Sequence, residues 1–350
     1  MGKEFRIYNV LRPLGWLYGA FTTLRNYLFD HVGRLSSTFP VPVISVGNIT
    51  VGGTGKTPHT EYLVSLLKQK ARVAVLSRGY GRCTSGYIQA LATSDSRTIG
   101  DEPLQIHNRF PDIDVAVCEN RAKGINTLLS TCSPGVIILD DAFQHRKVTP
   151  SLNILLVNYN RNILSDAMLP AGLMRESAKG RRRAHIIIVT KCPDNLSQQE
   201  MDSMATSLRI DKSQQVFFTV QQYGTPYPFG KPESPSDLPQ GPVLAVTGIA
   251  SPQSIQDELS SMGHQVTLMT YPDHHRYNNQ DINSITGKLN SLGPDAFIVT
   301  TAKDAARLAD LDMDAGLCGK IHVLPVGVRF LRDRELFDRT VTEHVKSFGK

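Results

Sequence analysis

The sequence predicts an α/β protein: a parallel-sheet domain built around a phosphate loop (P-loop), and a second, smaller α/β domain joined to it by a flexible linker. Three observations carry this. Short apolar, β-branched runs alternate with helix-length segments, the rhythm of a parallel sheet covered on both faces. One of those runs leads into a glycine-rich turn that ends in Gly-Lys-Thr and opens a helix. A proline-rich stretch then interrupts the rhythm, which restarts beyond it. With 350 residues, 41% hydrophobic and 20% charged, the chain can bury two cores, and it is neither disordered, collagen-like nor a small disulfide scaffold.

Taken in order, residues 1–35 come first. Ile7, Val10, Leu14, Leu17, Phe21, Leu24, Leu28 and Leu35 fall at helical spacing, and Pro13 suits a first turn. Trp16, Tyr18, Tyr27 and Phe29 make the segment aromatic; Arg12, Arg25 and Arg34 make it basic. Two readings stand side by side: a helix packed on the protein body, or an interfacial helix facing lipid phosphates. Residues 36–220 form the phosphate-loop domain, with strands at Val43–Val46, Arg72–Leu76, Val115–Cys118, Val136–Leu139, Ile154–Val157, Ile186–Val189 and Val216–Val220. Helices are predicted at Thr57–Gln69 and Arg121–Ser130. Residues 221–242 hold six prolines and read as the linker. Residues 243–350 form the smaller domain, with strands Val243–Val246, Gln265–Met269, Phe297–Thr300 and Ile321–Pro325, helices from about Pro252 and near Asp281–Leu292, and a C-terminal helix.

The five cysteines are an odd number without CxxC spacing, so neither a disulfide framework nor a zinc site is indicated and a cytoplasmic protein is expected. No run approaches the roughly 18 apolar residues of a spanning helix, and the first residues lack a signal-peptide pattern.

The strongest local signal is Val43-Ile-Ser-Val-Gly-Asn-Ile-Thr-Val-Gly-Gly-Thr-Gly-Lys-Thr-Pro58. A strand, a glycine-rich turn and a helix N-terminus let backbone N–H groups converge on phosphate oxygens. Val51, Gly52, Gly53, Thr54, Gly55, Lys56, Thr57 and Pro58 are the nucleotide-binding candidates, with Lys56 on the β- and γ-phosphates and the Thr57 hydroxyl on magnesium. Thr50 stands where the pattern has its first glycine. Val136-Ile-Ile-Leu-Asp-Asp141 ends a buried strand in two carboxylates, so that Asp140 or Asp141 would hold magnesium directly or through water.

A phosphate loop names the nucleotide site, not the reaction. Val189-Thr-Lys-Cys-Pro-Asp194 superficially resembles the guanine-reading NKxD element, but its carboxylate is one residue late and Thr190 replaces the asparagine; a structural loop is expected. A GTPase-type regulator or metallochaperone is therefore the alternative. Nucleic acid is not expected, since no aromatic-interleaved basic face accompanies the charges. Further polar clusters are Arg78-Gly-Tyr-Gly-Arg82, Gly100-Asp-Glu-Pro103, Phe143-Gln-His145, Pro170-Ala-Gly-Leu-Met-Arg-Glu176 and Asp273-His-His-Arg-Tyr277, and His274 with His275 is a poor metal pair.

Taken in order, VGN-x3-GGTGKTP, RGYGR, GDEP, DD-x-FQH, PAG-x2-RE and DHH-x-Y resemble the tetraacyldisaccharide 4'-kinase (lipid A 4'-kinase) family over essentially the whole chain. Where that family reads DDGFQH, this chain has Ala142. The resemblance implies transfer of the ATP γ-phosphate, with Mg2+, to the 4'-hydroxyl of an acylated glucosamine disaccharide 1-phosphate. It also implies two α/β domains with the active site between them, on the cytoplasmic face of the inner membrane; a monomer is expected. The N-terminal helix would then dock on the anionic membrane surface. Asp101 of GDEP and a His of DHH, His274 or His275, would form the catalytic pair, one residue from each domain, completed when the domains close. Thr57, Asp140 and Asp141, with Glu102, would hold the metal. Arg78, Arg82, His145 and Arg175 would meet phosphate or substrate, with Glu176 orienting one of them; a mutual Arg175–Glu176 surface pair is the other reading.

The formal charge of +6 is uneven. Residues 1–35 carry a net +3 and residues 175–183 a net +4, leaving the remainder near −1. The basicity is thus two patches, one for a membrane surface and one, with Arg181, Arg182 and Arg183, near the substrate phosphate.

Overall fold

A computed structural model describes residues 8–32, 35–249, 251–273 and 275–349. His274, Arg34 and the first seven residues lie outside the described set. The elements in chain order are α1 (Arg12–His31), β1 (Val43–Gly47), α2 (Lys56–Leu67), β2 (Val73–Ser77), β3 (Ile88–Gln89), α3 (Ser96–Ile99), α4 (Asp101–Arg109), β4 (Asp114–Val117), α5 (Arg121–Thr131), β5 (Val136–Asp140), β6 (Leu152–Asn158) and β7 (Ile186–Thr190). They continue with α6 (Gln198–Ser207), β8 (Gln215–Tyr223), β9 (Tyr227–Pro228), β10 (Val243–Thr247), α7 (Gln253–Ser261), β11 (Val266–Thr270), α8 (Asn279–Ser291), β12 (Phe297–Thr301), α9 (Ala302–Leu308), α10 (Ala315–Cys318), β13 (Ile321–Leu324), β14 (Val326–Phe330) and α11 (Arg334–Ser347).

The chain divides into two compact units. The first holds Met1–Arg78, Ile113–Gln221 and Val328–Lys350; the second holds Gly79–Asp112 and Gln222–Gly327. This differs from the boundaries expected from the sequence in three ways. Residues 79–112, with Asp101, group with the second unit, so Asp101 and the DHH segment belong to one unit rather than to two domains. The C-terminal helix α11 belongs to the first unit. Within the supposed linker, β8 runs on to Tyr223 and Tyr227–Pro228 pairs antiparallel with β13. An edge position suits Pro228, which has no N–H to give a second neighbour.

In the first unit the strand order is β14-β8-β7-β6-β1-β5-β2-β4, and the pairs from β8 through to β4 are parallel. β1 lies between β5 and β6, in a register that sets Val46 beside Asp140. Every β1 residue is buried, as a parallel sheet covered on both faces requires. The second unit has the order β11-β10-β12-β13-β9, parallel except at its β9 edge.

α1 is amphipathic in an unusual sense. Of its residues only Gly15 and Thr22 are buried, and its small residues allow a close approach to the body: a Cβ on Gly15 would lie 3.0 Å from the Met168 carbonyl oxygen, and one on Gly19 3.3 Å from the Met168 side chain. The apolar stripe faces outward, with Trp16 72%, Leu17 69%, Phe21 69% and Leu24 60% exposed. The reading of this stripe as a packed face is overturned. No helix among the described residues is long and apolar enough to cross a membrane.

Two packing features tie the first unit together. α11 inserts Phe337 into an aromatic cluster, 5.2 Å from the ring of Phe217, 4.7 Å from Phe330 and 6.0 Å from Tyr62. On α2, His59 is buried between the Gly55 carbonyl oxygen (Nδ1, 2.7 Å) and the Thr219 hydroxyl of β8 (Nε2, 3.1 Å). A carbonyl can only accept, so Nδ1 carries the proton and Nε2 accepts from Thr219. Burial pushes the His59 pKa down to about 4, against the opposing hydrogen bond to Gly55.

Phe337→Ala removes the ring at the centre of that cluster and should lower stability by about 3–5 kcal/mol, read as a fall in the urea midpoint. Because His59 is held neutral, its contribution is complete above pH 6.5 and is lost as the pH falls from 6.5 toward 4, where the unfolded chain binds the proton more readily. The shift corresponds to roughly 3 kcal/mol. Unfolding free energies between pH 4 and 7 should fall more steeply for wild type than for His59→Gln; equal slopes would remove His59 as the cause.

Candidate functional site

The phosphate loop starts where β1 ends. A Cβ on Gly47 would come within 2.7 Å of the Phe143 backbone nitrogen, so only glycine lets the segment after β5 approach the strand end. Thr50, the residue in the first-glycine position, has ordinary negative φ and is buried, and its backbone bridges Met174; Val51 N–H donates to Leu173 O (2.8 Å) and Arg175 N–H to Ile49 O (2.8 Å). A glycine is not needed there. The left-handed positions are Gly52 (φ 99°) and Gly55 (φ 81°), the latter opening α2 at Lys56. Asn48 Nδ2 donates to Thr54 Oγ1 across the loop at 2.8 Å, both side chains buried.

Around this loop the first unit assembles charge. Lys56 Nζ lies 3.8 Å from Asp141 Oδ2, and Arg175 Nη1 donates to both Asp141 oxygens at 3.2 and 3.3 Å. Asp141 is itself in the left-handed region (φ 47°), a strain of a kind concentrated at functional sites. Asp140, fully buried, accepts from the Thr60 hydroxyl at 2.8 Å. Thr57 is buried in the first turn of α2. Val51, Gly53, Thr54, Lys56 and Pro58 thus share one loop and helix start with the carboxylates at the β5 end. Glu102 does not belong to this unit; it sits in the first turn of α4.

Arg121 escapes the sequence motifs because nothing local marks it. It opens α5 fully buried, with Nη1 donating to Cys118 O (2.7 Å) and Nη2 to Asp140 O (3.3 Å). Burial lowers its pKa to about 10, while Asp140 and Asp141 favour its charge. The Arg121 backbone N–H donates to His145 Nε2 (3.2 Å), which leaves the His145 proton on Nδ1. Burial first, then the charges of Arg121, Lys147 and Arg78, push His145 down to about 4, so it is neutral at physiological pH. His145 lines a cavity of about 600 Å³ with Ser45, Arg146, Asn153, Arg183 and His185.

Arg175 and Glu176, adjacent in sequence, diverge. Glu176 is fully buried and accepts from Arg183 Nη2 at 2.9 Å to each oxygen, from Asn26 Nδ2 at 2.8 Å and from Gln144 Nε2 at 3.2 Å. It makes no surface pair with Arg175. Of the basic run, Arg181 is also turned inward, to the carbonyls of Ala178, Leu208 and Arg209.

The second unit holds the other candidates. RGYGR and GDEP interlock: a Cβ on Gly79 would meet Ile99 O at 2.8 Å and one on Gly100 would meet Tyr80 O at 2.9 Å. Arg82 Nη2 donates to Gly86 O (2.7 Å), and Arg78 belongs to the first unit. Asp101 accepts from Arg307 Nε (2.8 Å) and Nη2 (2.7 Å) on one oxygen. Arg307 is in turn fixed to Asp304 (3.1 Å), whose other oxygen accepts from Thr247, Gly248 N–H and Thr301. His275 Nε2 lies 2.9 Å from Asp281 Oδ2 in the capping box of α8, and Arg276 Nη2 donates to Gly81 O (2.8 Å).

Comparison with known proteins gives this geometry its context. The family model for tetraacyldisaccharide-1-P 4'-kinase matches residues 7–346. The tetraacyldisaccharide 4'-kinase of Phocaeicola vulgatus is 44% identical over 356 residues, covering 99% of this chain and 97% of its own. The enzyme of that name from Bacteroides thetaiotaomicron is 43% identical over 351 residues, covering 96% and 92%. The crystal structure of "apo" form LpxK from Aquifex aeolicus in complex with ATP is similar at a TM-score of 0.76 and 29% identity, over 97% of this chain and 99% of that one. The chain therefore belongs to the tetraacyldisaccharide-1-P 4'-kinase family, and it is an enzyme of the phosphotransferase class, acting on a hydroxyl.

Proposed function

We propose that this chain transfers the γ-phosphate of ATP to the 4'-hydroxyl of a tetraacyldisaccharide 1-phosphate at the cytoplasmic face of the inner membrane. The observation that carries the reading is the convergence of Lys56 and Arg175 on Asp141 beside the Gly52–Gly55 loop, in a family whose members bear that activity in their name. The bound ATP of the Aquifex structure supports the choice of nucleotide.

The donor set fits magnesium. Thr57, Asp140 and Asp141 offer only oxygen, the hard donors this ion prefers, and among the described residues no group of three or more His, Cys, Asp or Glu could hold a metal alone. An ion held by one or two carboxylates and completed by substrate phosphates is the usual magnesium arrangement. When bound, it supplies neutralisation of the β- and γ-phosphate charge.

The chain's own residues do the rest. Lys56 and Arg175 give cations to the γ-phosphate and the loop N–H groups give donors. The family's pair assigns proton removal to a DHH histidine and Asp101. His275 is occupied by Asp281, which favours His274. As the 4'-oxygen bonds to Pγ, its proton passes to the imidazole and the Pγ–O bond to ADP breaks. Asp101 orients the imidazole and stabilises its charge. Arg78, Arg82 and Glu102 are retained as substrate and metal candidates on the resemblance. For His145 and Arg175 the support is geometric: His145 lines the polar cavity, and Arg175 reaches Asp141. Glu176 serves as a support for these loops through its bonds to Gln144 and Arg183.

The apolar face of α1, with Arg12 and Arg25 on the same helix, supports a membrane-surface enzyme: an outward stripe this large on one helix is a docking surface. Labelled-ATP transfer to the disaccharide lipid tests the activity, and GTP-dependent turnover without a lipid product would sink it. Asp101→Ala should lower kcat by at least ~10²-fold with ATP affinity nearly intact; unchanged turnover removes Asp101 from the mechanism. Phe21→Glu and Leu24→Glu should each weaken sedimentation with anionic vesicles by about 10-fold while leaving thermal stability unchanged, since both side chains are exposed. Undiminished vesicle binding in both variants would rule out docking through this face.

A further inference from the structure

Lys191 stands in the Val189–Asp194 segment, expected to be only a structural loop. It follows β7, a strand paired in parallel on both sides, and so emerges at the carboxyl end of the sheet, the ligand side in open α/β folds. Its backbone is left-handed (φ 57°), a conformation that a non-glycine residue adopts only at a cost. The side chain is mostly withdrawn from solvent, and among the described residues its ammonium has no hydrogen bond or ion pair. Burial, and then the like charge of Arg161, push its pKa below the usual lysine value.

Its position relative to the loop is specific. Lys191 Nζ lies 3.7 Å from where a Cβ on Gly53 would stand, and Arg161 Nη1 lies 3.6 Å from the same point on Gly52. Arg161 is committed to the loop backbone, donating to Val51 O at 2.7 Å. Lys56 guards the end of the loop; Lys191 borders its first half. A partly buried, unpaired ammonium beside another cation, on a strained backbone, is costly in the free protein. Charge-assisted bonds to an incoming polyanion offset that cost.

We propose that Lys191 is a second phosphate-binding lysine, contacting the nucleotide's inner phosphates from the Gly52–Gly53 side of the loop. This rests on the nucleotide reading given above and adds a residue to it. The chemistry required of the ligand is an anionic oxygen on the inner phosphates of a nucleoside diphosphate or triphosphate, nearer the Gly52–Gly53 side of the loop than Lys56.

Calorimetric titration of the full chain with MgADP, set beside the thermal midpoint of the free protein, tests this. Lys191→Met keeps the stem and removes the charge. It should weaken ADP binding about 10- to 100-fold, and the free protein should melt at the same or a higher temperature, because an unpaired charge is gone. Lys191→Arg should keep affinity within about 5-fold. A purely structural lysine would instead lose binding and melting temperature together, which overturns the proposal. Normal ADP affinity in Lys191→Met overturns it too, even if Lys191→Ala binds weakly, since the stem rather than the charge would then act. Lys56→Met separates the two readings: if it abolishes ADP binding while Lys191→Met does not, the nucleotide site stands and the Lys191 role falls. A wild-type protein that binds no ADP overturns both.

Discussion

One buried carboxylate organises the first unit. Glu176 takes hydrogen bonds from Asn26 on α1, from Gln144 after β5 and from Arg183 in the basic run, three segments far apart in sequence. A carboxylate removed from water is tolerable only when its lone pairs are occupied by such donors. Satisfying it therefore requires all three segments to be in place together. The constraint extends further: a Cβ on Gly180 would lie 2.8 Å from Glu176 Oε2, so the turn leading to Arg183 must have glycine there, and Arg183 stacks over Phe143 at 4.8 Å. The exposed apolar helix, the segment carrying Asp141 and the Arg175 loop are registered to one another through this group. Arg175 is held from the same side, its carbonyl accepting from Tyr18 of α1 at 3.0 Å.

The electrostatics of the loop follow from that registration. Asp141 is shared by Lys56 and Arg175, at separations where a pair near the protein surface interacts by a few kcal/mol. In the free protein it keeps two cations beside the glycines without letting them repel one another apart. Asp140, one residue earlier and the last residue of β5, accepts instead from Thr60 of α2. The two neighbouring carboxylates thus have different partners in the free protein, Asp140 within the strand and Asp141 just beyond it on a left-handed backbone.

Much of this was legible in the sequence, for identifiable reasons. Strand runs were recognisable because residues buried on both faces read as continuous apolar stretches; every run named from the sequence lies on a strand. The phosphate loop was legible because glycine, lysine and threonine are needed at fixed spacing for backbone geometry. What could not be read was long-range. Asp101 bonds to Arg307, 206 positions away, and no composition shift marks residues 79–112 as leaving one unit for the other. The boundary was instead placed at the prolines, where the linker signal is loudest, although two of those residues form an edge strand. Arg121 carries no pattern of its own: its significance lies in burial against Cys118 and the distant Asp140. His59 adjoins the phosphate loop, but its burial depends on Thr219 of a strand 160 positions away. Lys191 lies in a segment that the sequence marks only as a structural loop, and its place beside Gly53 is set by the fold.

The departure at Ala142 shows where backbone freedom is needed. The family pattern has glycine there, which suggests a left-handed or crowded position. Yet Ala142 is buried with an ordinary negative φ, so a methyl group is accommodated without backbone strain. The left-handed residue of the segment is its neighbour Asp141, and the close approach is relieved by Gly47 on the facing strand, where a Cβ would strike the Phe143 backbone. The turn after β5 therefore needs one glycine across from it rather than one within it. That arrangement leaves Asp141 to bear the strain, at the one position where a carboxylate fixed in an unusual conformation is used to hold Lys56 and Arg175.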